Sequence, residues 1–599
     1  MPTIKEIQPR QNIESSWQWD LTTIFKTDED WQVAHDAVMA DLKVASAYQG
    51  TLHQGSAQVR SALAAILKVS QMMERVYVYA HLKHDQDTSV PEYIQMVGQA
   101  STMATKVSSE LSWFEPEVLQ LASEIAAELR TDEAYGHYFT NLLDKKEHVL
   151  NPEGEALLAQ AGEVFSASER TFDFLNDTDL KFASVTTKNG KAIKVSHGSF
   201  GILLEDSDRT VREQAFHNVY AAYRSVENTM AAIMSGNVKQ HNFEAKVHHY
   251  EDARAHAMAS DHIPSAVYET LVDTVNESLP LLHEYVALRK EILGVDALYP
   301  YDLYTPLVGE APLRFTYEEA KAVTFEALKP LGEDYLTQLA RAFDERWIDV
   351  YENEGKTSGA YSSGSYDTNP FVLLNWQDSL DDLYTLVHEL GHSMHSHYSH
   401  TNQPYVYGDY PIFLAEIAST TNENILTTYL LNHYTDKDIQ IYLLTHYLDA
   451  VKGTIFRQTQ FAEFEQLMHE ADQKGQVLSA SYLNEQYFQM NQKYYGPALA
   501  SDDRTIELEW SRIPHFYYDY YVYQYATGFS AANTLAERVT SGDPDKVAAY
   551  LNYLKSGSSD FPIDTMKRAG VDMTSADYIK RTMKTFQTRL AQLKELLAQ

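Results

Sequence analysis

Apolar residues recur at spacings of three and four along most of this 599-residue chain, and this periodicity constrains the fold more than any other feature. It is clear in SALAAILKVSQMMERVYVYAHLKH and in KVAAYLNYLKS. Such spacing is typical of amphipathic helices, whereas half-buried strands alternate with a period of two. The sequence therefore predicts a mainly α-helical protein, and its length predicts two or more packed parts with a cleft.

Strands are predicted in two short segments. In residues 181–196, Asn189-Gly190 lies between alternating segments and predicts a β-hairpin with a type I′ turn. The following helix is expected to use Asp208 as its N-cap. A soft boundary near 200 predicts an N-terminal helical domain at 1–200 and a catalytic domain at 201–599.

The second strand candidate is the apolar run FVLLNW at residues 371–376, which follows a loop rich in Gly and Ser. Two interpretations are open for this run. A strand beside a helical site can pair with an extended peptide through free backbone groups, or it can be a buried structural strand.

Charge and composition exclude several classes of partner. The 48 basic and 84 acidic side chains give a formal net charge of −36, which opposes binding to nucleic acid and to anionic membranes. No apolar run is long enough to span a bilayer, and the N-terminal residues lack the apolar region of a signal peptide. The chain has no cysteine, so any metal must be held by His, Asp or Glu. These features predict a cytoplasmic protein without nucleic-acid or membrane partners.

Residues 378–400, DSLDDLYTLVHELGHSMHSHYSH, hold the strongest candidate for a site. Ser379 and Asp382 are spaced as a capping box, which predicts a helix that begins at Leu380 and ends near residue 400. His388 and His392 are one turn apart on this helix, and Glu389 completes an HExxH pattern. In this pattern two imidazoles bind Zn²⁺ and the glutamate accepts a proton from water.

The other three histidines of this stretch are expected to have different roles. His395 could approach the cavity but is not expected to bind the metal, while His397 and His400 are expected to pack or to meet solvent.

A catalytic zinc site needs a third protein ligand and one open position. The metzincin pattern would place Gly at 395 and His at 398, but the chain has His395 and Tyr398. The next predicted helix, in YPIFLAEIASTTNENILTTYLLNHY, carries Glu416 and Glu423 on a polar stripe of an otherwise apolar face. Either carboxylate could be the ligand, with the other orienting an imidazole, and spacing does not choose between them.

Tyrosines are dense in IPHFYYDYYVYQYATGFSAANTL, from residue 513 onward. We expect a helix after Pro514, with Tyr517, Tyr520 and Tyr523 on one stripe and three other tyrosines on a second. The second stripe comprises Tyr518, Tyr521 and Tyr525. One stripe can be core while the other lines a cavity and supplies donors to a developing oxyanion.

Four segments together resemble the M3 family of zinc metallopeptidases, in particular its bacterial oligoendopeptidase F group. They are SGAYSSGSYDTNPFVLLNW, DDLYTLVHELGHSMH, DYPIFLAEIASTTNE and IPHFYYDYYVYQYATG, in the family's order and approximate spacing. The resemblance extends from WQWDL near the N-terminus to GVDMTSADY near the C-terminus, so it covers nearly the whole chain.

The resemblance implies a large helical zincin-type body with a deep substrate channel and a small β element beside the HExxH helix. It implies one Zn²⁺ per chain, with Glu416 as the third ligand and Glu423 behind a histidine. It further implies that His515, Tyr520 and Tyr523 face the scissile bond, and that FVLLNW aligns the substrate backbone. The implied activity is hydrolysis of internal bonds in short peptides, with Glu389 as the general base.

Two alternatives remain open from the sequence. One is another HExxH helical metallopeptidase of the carboxypeptidase or aminopeptidase type, which would need a group that captures a substrate terminus. The other is a non-catalytic protein that binds peptides or metal, against which the intact Glu389 argues. The sequence predicts neither a cleavage preference nor an oligomeric state.

Overall fold

The computed structural model describes residues 7–309 and 313–599. The chain is 71% helical, which confirms the predicted mainly α-helical class. The first twelve α-helices of the described residues are α1 Asp28–Ser46, α2 Ser56–Asp85, α3 Pro91–Leu111, α4 Phe114–Leu119, α5 Ser123–Arg130, α6 Gly136–Asp144, α7 Pro152–Phe165, α8 Ala167–Asp173, α9 His197–Glu205, α10 Arg209–Ser225, α11 Glu227–Val247 and α12 Ala253–Ala259.

The remaining α-helices of these ranges are α13 Ser265–Leu293, α14 Tyr317–Leu328, α15 Glu333–Asp344, α16 Leu380–Asn402, α17 Ile412–His433, α18 Lys437–Val451, α19 Arg457–Gln473, α20 Ala480–Tyr495, α21 Tyr523–Val539, α22 Pro544–Leu554, α23 Pro562–Arg568 and α24 Asp577–Ala598. No helix within the described ranges is both long and apolar enough to cross a bilayer.

The chain divides into two compact units, each assembled from three segments. The first unit comprises Met1–Glu147, Leu313–Leu430 and Leu535–Val571. The second unit comprises His148–Pro312, Leu431–Thr534 and Asp572–Gln599. Each unit is assembled from segments that are distant in sequence. The division into domains at 1–200 and 201–599 describes continuous stretches of chain and stays a prediction.

The first unit contains a three-stranded sheet with the order β3-β5-β4. Its strands are β3 Ile348–Asp349, β4 Tyr361–Ser363 and β5 Phe371–Leu373. The pairing of β5 is parallel to β3 and antiparallel to β4. Residues 371–373 of the apolar run therefore form the central strand, whose side chains are fully buried, and the prediction that this strand offers its backbone to a substrate is wrong. Both edges of β5 are already paired, which leaves β3 and β4 as the edge strands, and β4 is the edge strand that packs against the HExxH helix.

The side chains of β5 belong to the main core of the first unit. Phe371 and Leu373 are fully buried in a cluster that includes Trp19 and Trp31 near the N-terminus and apolar residues of α1, α2 and α3. The sheet is thus fixed by residues more than 250 positions away in sequence, which explains why its arrangement is not visible in the local pattern.

The second unit contains the predicted hairpin, with β1 Val185–Thr186 antiparallel to β2 Ala192–Ile193. The predicted type I′ turn is wrong. A type I′ turn needs positive φ at both central residues, whereas only Gly190 has a positive φ, at 76°, and its N–H donates to the Thr187 carbonyl. Asp208 caps α10 by accepting from the Thr210 N–H, as predicted.

Candidate active site

Helix α16 begins where the capping box predicts it. The Ser379 hydroxyl accepts a hydrogen bond from the Asp382 N–H at 3.0 Å, and the Asp382 carboxylate accepts from the Ser379 N–H at 2.8 Å. The helix begins at Leu380 and ends at Asn402, two residues beyond the predicted end. Its apolar face, including Leu383, Leu386 and Leu390, is fully buried.

Helices α16 and α17 approach each other at Gly391. A Cβ atom at this glycine would lie 2.5 Å from the Ser419 Cα and 3.0 Å from the Ser419 nitrogen. Gly391 is the second x of the HExxH pattern, between His388 and His392, and Ser419 lies between Glu416 and Glu423. The backbone contact therefore brings both histidines of α16 within reach of both carboxylates of α17.

Three donor atoms converge at this crossing. His388 Nε2 and His392 Nε2 are 3.2 Å apart. Glu416 Oε2 lies 3.4 Å from His388 Nε2 and 3.5 Å from His392 Nε2. The three side chains are partly exposed, at 25%, 18% and 43%, so solvent and small ions can reach them.

The donor triangle fits a metal ion of the zinc type. Zinc binds imidazole and carboxylate at about 2.0–2.2 Å, usually in a tetrahedron, whose edges are then about 3.3–3.5 Å. The observed separations of 3.2–3.5 Å match these edges. Two imidazoles and a carboxylate are also a donor set that zinc uses in catalytic sites, with one position left open.

Glu423 lies behind His388. Its Oε1 is 2.5 Å from His388 Nδ1, so Nδ1 donates to the carboxylate and Nε2 faces the other two donor atoms. Burial alone would lower the pKa of His388, but its hydrogen bonds with Glu416 and Glu423 raise that pKa to about 10. A metal-bound imidazole that donates its other N–H to a carboxylate is a common arrangement, and it fixes the ring orientation.

Glu416 is also held in place. Its carboxylate accepts a hydrogen bond from the Ser419 hydroxyl at 3.0 Å. Burial alone would raise the pKa of Glu416, yet its contacts with His388 and His392 bring that pKa below the ordinary value. Glu416 is therefore a carboxylate at neutral pH, as a metal ligand must be.

Glu389 is buried on α16 next to the donor triangle, with 7% of its surface exposed. Burial raises the pKa of its carboxyl above the usual range, against the lowering effect of His388 and His392. A hydrogen bond from the backbone of Ser362 in β4 also reaches this carboxylate. The Ser362 hydroxyl lies 2.8 Å from that of Ser393 on α16, so the free edge of the sheet is fastened beside Glu389.

The other histidines of α16 lie outside the donor triangle. His395 is fully buried and stacks on the Tyr410 ring at 3.6 Å. His397 Nε2 lies 3.1 Å from Gln338 Oε1, and His400 Nε2 lies 3.8 Å from Asp409 Oδ1.

The tyrosine-rich segment belongs to the second unit, and the prediction of one helix after Pro514 is wrong. A 3₁₀ turn spans Pro514–Tyr517, and α21 begins only at Tyr523. Between them, Asp519 and Tyr520 have positive φ values of 38° and 58°. The Tyr520 N–H donates to the buried Glu465 carboxylate at 2.8 Å, an interaction that local helical spacing cannot reveal.

The predicted site residues of this segment lie in two different environments. Tyr520 and Tyr523 are buried, with 2% and 3% of their surface exposed, and the Tyr520 hydroxyl donates to Gln466 Oε1 at 2.8 Å. His515 is partly exposed, and its Nε2 lies 3.3 Å from the Tyr525 hydroxyl.

Around His515 the structure gathers the second tyrosine stripe. The rings of Tyr518, Tyr521 and Tyr525 lie 5.7, 6.2 and 5.9 Å from the His515 ring. Tyr525 was not among the predicted site residues. The signal that could have identified it was the spacing that separates these three tyrosines from the buried Tyr517, Tyr520 and Tyr523.

The chain is similar to known proteins along nearly its whole length. Residues 202–585 match the model of Peptidase family M3, and residues 117–182 match that of Oligopeptidase F. The Group B oligopeptidase PepB of Streptococcus agalactiae is 50% identical over 98% of both chains. The oligopeptidase PepF of Bacillus subtilis is 44% identical over 99% of this chain and 89% of its own.

The solved structure of a related protein is also similar to this chain. The oligoendopeptidase-F of Enterococcus faecium is 45% identical and covers 95% of this chain and 99% of its own, with a TM-score of 0.74. Its mainly helical fold agrees with that described above. The chain is therefore a metallopeptidase that belongs to peptidase family M3.

Proposed function

We propose that the chain is a zinc-dependent endopeptidase that hydrolyses internal bonds of short peptides. The observation that carries the proposal is the donor triangle of His388, His392 and Glu416 with Glu389 buried beside it. The relatives named oligopeptidase and oligoendopeptidase support short peptides as the substrate class.

His388, His392 and Glu416 would hold the zinc ion, and Glu423 would keep the His388 ring in position. Bound there, Zn²⁺ would act as a Lewis acid and lower the pKa of a water ligand toward about 7. The open side of the triangle leaves room for water and for the scissile carbonyl.

Glu389 would move the proton. Its carboxylate takes a proton from the attacking water as the new C–O bond forms, and it returns that proton to the amide nitrogen as the C–N bond breaks. Burial raises the pKa of the Glu389 carboxyl, which makes its carboxylate a stronger base toward the attacking water than an exposed glutamate is.

The free edge of β4 would align the substrate. The strand Tyr361–Ser363 pairs with β5 on one side, and its Ser362 backbone reaches Glu389 on the other. An extended peptide paired with this edge would bring its backbone next to the proton acceptor. This assignment replaces the earlier expectation for the FVLLNW strand.

Donors to the oxyanion are proposed from the resemblance of IPHFYYDYYVYQYATG to the family. His515, Tyr520 and Tyr523 stay predicted for this role. The side chains of His515 and Tyr525 are partly exposed and lie 3.3 Å apart, whereas Tyr520 is buried and its hydroxyl already donates to Gln466. His515 and Tyr525 are therefore the better candidates for donors to the oxyanion. The Tyr525→Phe and Tyr520→Phe variants separate these choices, since loss of an oxyanion donor lowers kcat by about 10²–10³-fold.

The decisive test replaces Glu389 with glutamine. Glu389→Gln keeps the shape of the side chain and removes its basicity, so we expect kcat to fall by about 10²–10⁴-fold while zinc content is unchanged. The assay uses peptides blocked at both ends, analysed by mass spectrometry with and without a chelator. Cleavage confined to peptides with a free terminus would favour an exopeptidase. A wild-type protein with no chelator-sensitive turnover would leave only the non-catalytic alternative.

A further inference from the structure

A second cluster of metal-ligating side chains lies wholly within the second unit. It consists of His241 on α11, His469 on α19 and Asp519 in the turn before α21. His241 Nδ1 lies 3.1 Å from His469 Nε2 and 3.2 Å from Asp519 Oδ1. The cluster shares no residue with the donor triangle of the first unit.

Both imidazoles are buried and neutral. His241 and His469 are 4% and 1% exposed, and burial lowers the pKa of both, that of His469 to about 4. His469 Nδ1 lies 2.8 Å from the Glu465 carbonyl oxygen and therefore donates to it. This tautomer leaves the lone pair of His469 Nε2 directed toward His241 Nδ1.

Asp519 brings a carboxylate to the same point at a conformational cost. Asp519 and Tyr520 both have positive φ, a backbone conformation that is unfavourable for non-glycine residues unless the surroundings hold it. Asp519 Oδ1 is buried and has no hydrogen-bond partner among the described residues. Burial raises the pKa of the Asp519 carboxyl to about 7, so the carboxyl is neutralised either by a proton or by a bound cation.

We propose that His241, His469 and Asp519 form a second metal site, which binds a divalent transition-metal ion of the zinc type and holds the turn at Asp519 and Tyr520. Two imidazoles and a carboxylate suit zinc and its neighbours, whereas Ca²⁺ and Mg²⁺ prefer oxygen ligands. The two measured separations, 3.1 and 3.2 Å, are close to the edge of about 3.3 Å expected between two ligand atoms around zinc.

A neighbouring histidine completes the surroundings. His256 Nδ1 lies 3.9 Å from Asp519 Oδ2 and is buried without a hydrogen-bond partner in the described part of the chain. It is placed to orient the second carboxylate oxygen once Oδ1 binds the ion. The ion would connect α11, α19 and the turn, which are far apart in sequence.

The positions of His241 and His469 can also be explained without a metal ion. His241 Nδ1–H can donate directly to His469 Nε2, and the pair then needs no ion. Counting zinc ions in a protein whose first site has been removed distinguishes the two explanations.

The experiment measures zinc content by plasma mass spectrometry after incubation with Zn²⁺ and gel filtration. We expect about two ions per chain in the wild type, about one in the His388→Ala/His392→Ala variant, and almost none when Asp519→Asn is added to that variant. Asp503→Asn is the matched control, because Asp503 pairs with His217 at 2.7 Å and has 22% exposure against 25% for Asp519. Among the described residues, Asp503 and His217 belong to no three-residue cluster that could hold a metal ion.

A second measurement avoids any change at the new site. Co²⁺ added to the His388→Ala/His392→Ala variant should give the visible absorption of a low-symmetry nitrogen and oxygen site, and Zn²⁺ should raise its melting temperature. The proposal is overturned if this variant keeps less than about 0.1 zinc ion per chain and gives no cobalt spectrum. It is also overturned if a bound ion survives both Asp519→Asn and His469→Gln.

Discussion

At the residue scale, the two carboxylates of α17 lie in different positions although sequence spacing does not distinguish them. Glu416 Oε2 completes the donor triangle with the two imidazoles, whereas Glu423 contacts only the Nδ1 side of His388. The geometry agrees with what the family resemblance implies for Glu416. It also leads to unequal expected effects on metal affinity.

We predict that Glu423→Gln weakens zinc binding by about 10–100-fold, because the amide is a poorer acceptor for the His388 N–H and fixes the ring less firmly. Glu416→Gln should weaken binding more, since it removes a charged ligand. Competition with a chromophoric chelator measures both constants. Equal effects of the two substitutions would contradict the assignment of Glu416 as the ligand.

A second residue-scale prediction concerns Glu74 on α2. Its Oε1 accepts a hydrogen bond from the Tyr405 hydroxyl at 2.5 Å. Burial raises the pKa of Glu74 to about 7, against the lowering effect of that hydrogen bond and with the help of Asp409. An unfolded glutamate has a pKa of about 4.3, so the folded protein binds more protons than the unfolded chain between these two values.

Stability falls as pH rises from about 4.5 to 7, because ionisation of Glu74 is harder in the folded state, and the loss is at most about 4 kcal/mol. Glu74→Gln keeps an acceptor for Tyr405 and removes the ionisation. We expect the melting temperature of the variant to exceed that of the wild type increasingly between pH 5 and pH 8. A constant difference across this range would show that Glu74 does not titrate there.

At the element scale, the crossing of α16 and α17 depends on a glycine. We predict that Gly391→Ala lowers both thermal stability and zinc affinity, because a Cβ 2.5 Å from the Ser419 Cα must push the two helices apart. Calorimetry and zinc titration measure the two effects. Gly98→Ala on α3 is the control, since its Cβ would meet nothing within 4 Å, and we expect it to stabilise by about 0.5–1 kcal/mol. Unchanged zinc affinity in Gly391→Ala would contradict this account of the site.

Elements can be predicted from sequence where they depend on neighbouring residues, and not where they depend on distant ones. The start of α16 depends on two residues three positions apart, so it is a local property and its prediction is confirmed. The segment after Pro514 has helical spacing, but Glu465 on α19 takes the Tyr520 N–H and the chain turns instead. The position of β5 between two strands likewise depends on distant partners. Local periodicity does not encode contacts between residues that are distant in sequence.

At the scale of the whole molecule, the site-bearing unit is not a continuous stretch of chain. The strand β5 and the N-terminal helices share one core, in which Phe371 and Leu373 pack with Trp19 and its neighbours. The N-terminal segment also supplies a charge to the sheet. Arg10 Nη2 lies 2.5 Å from Asp349 Oδ2 in β3, and that carboxylate is 1% exposed.

We predict that the fragment 201–599, which contains every proposed zinc ligand, does not form a stable zinc site by itself. Loss of residues 1–200 exposes the β5 side of the core and removes Arg10 from the buried Asp349, whose charge is then compensated less completely. Lys356, 2.8 Å from the same carboxylate, would be left as its only close cation among the described residues. Near-ultraviolet circular dichroism and zinc content measure the outcome.

Addition of fragment 1–200 in trans is expected to restore part of both signals, because the missing core side chains then become available again. A soluble 201–599 fragment with native-like dichroism and a full zinc content would show that the linear boundary near 200 is an independent folding boundary, and that the N-terminal contacts of β5 are dispensable.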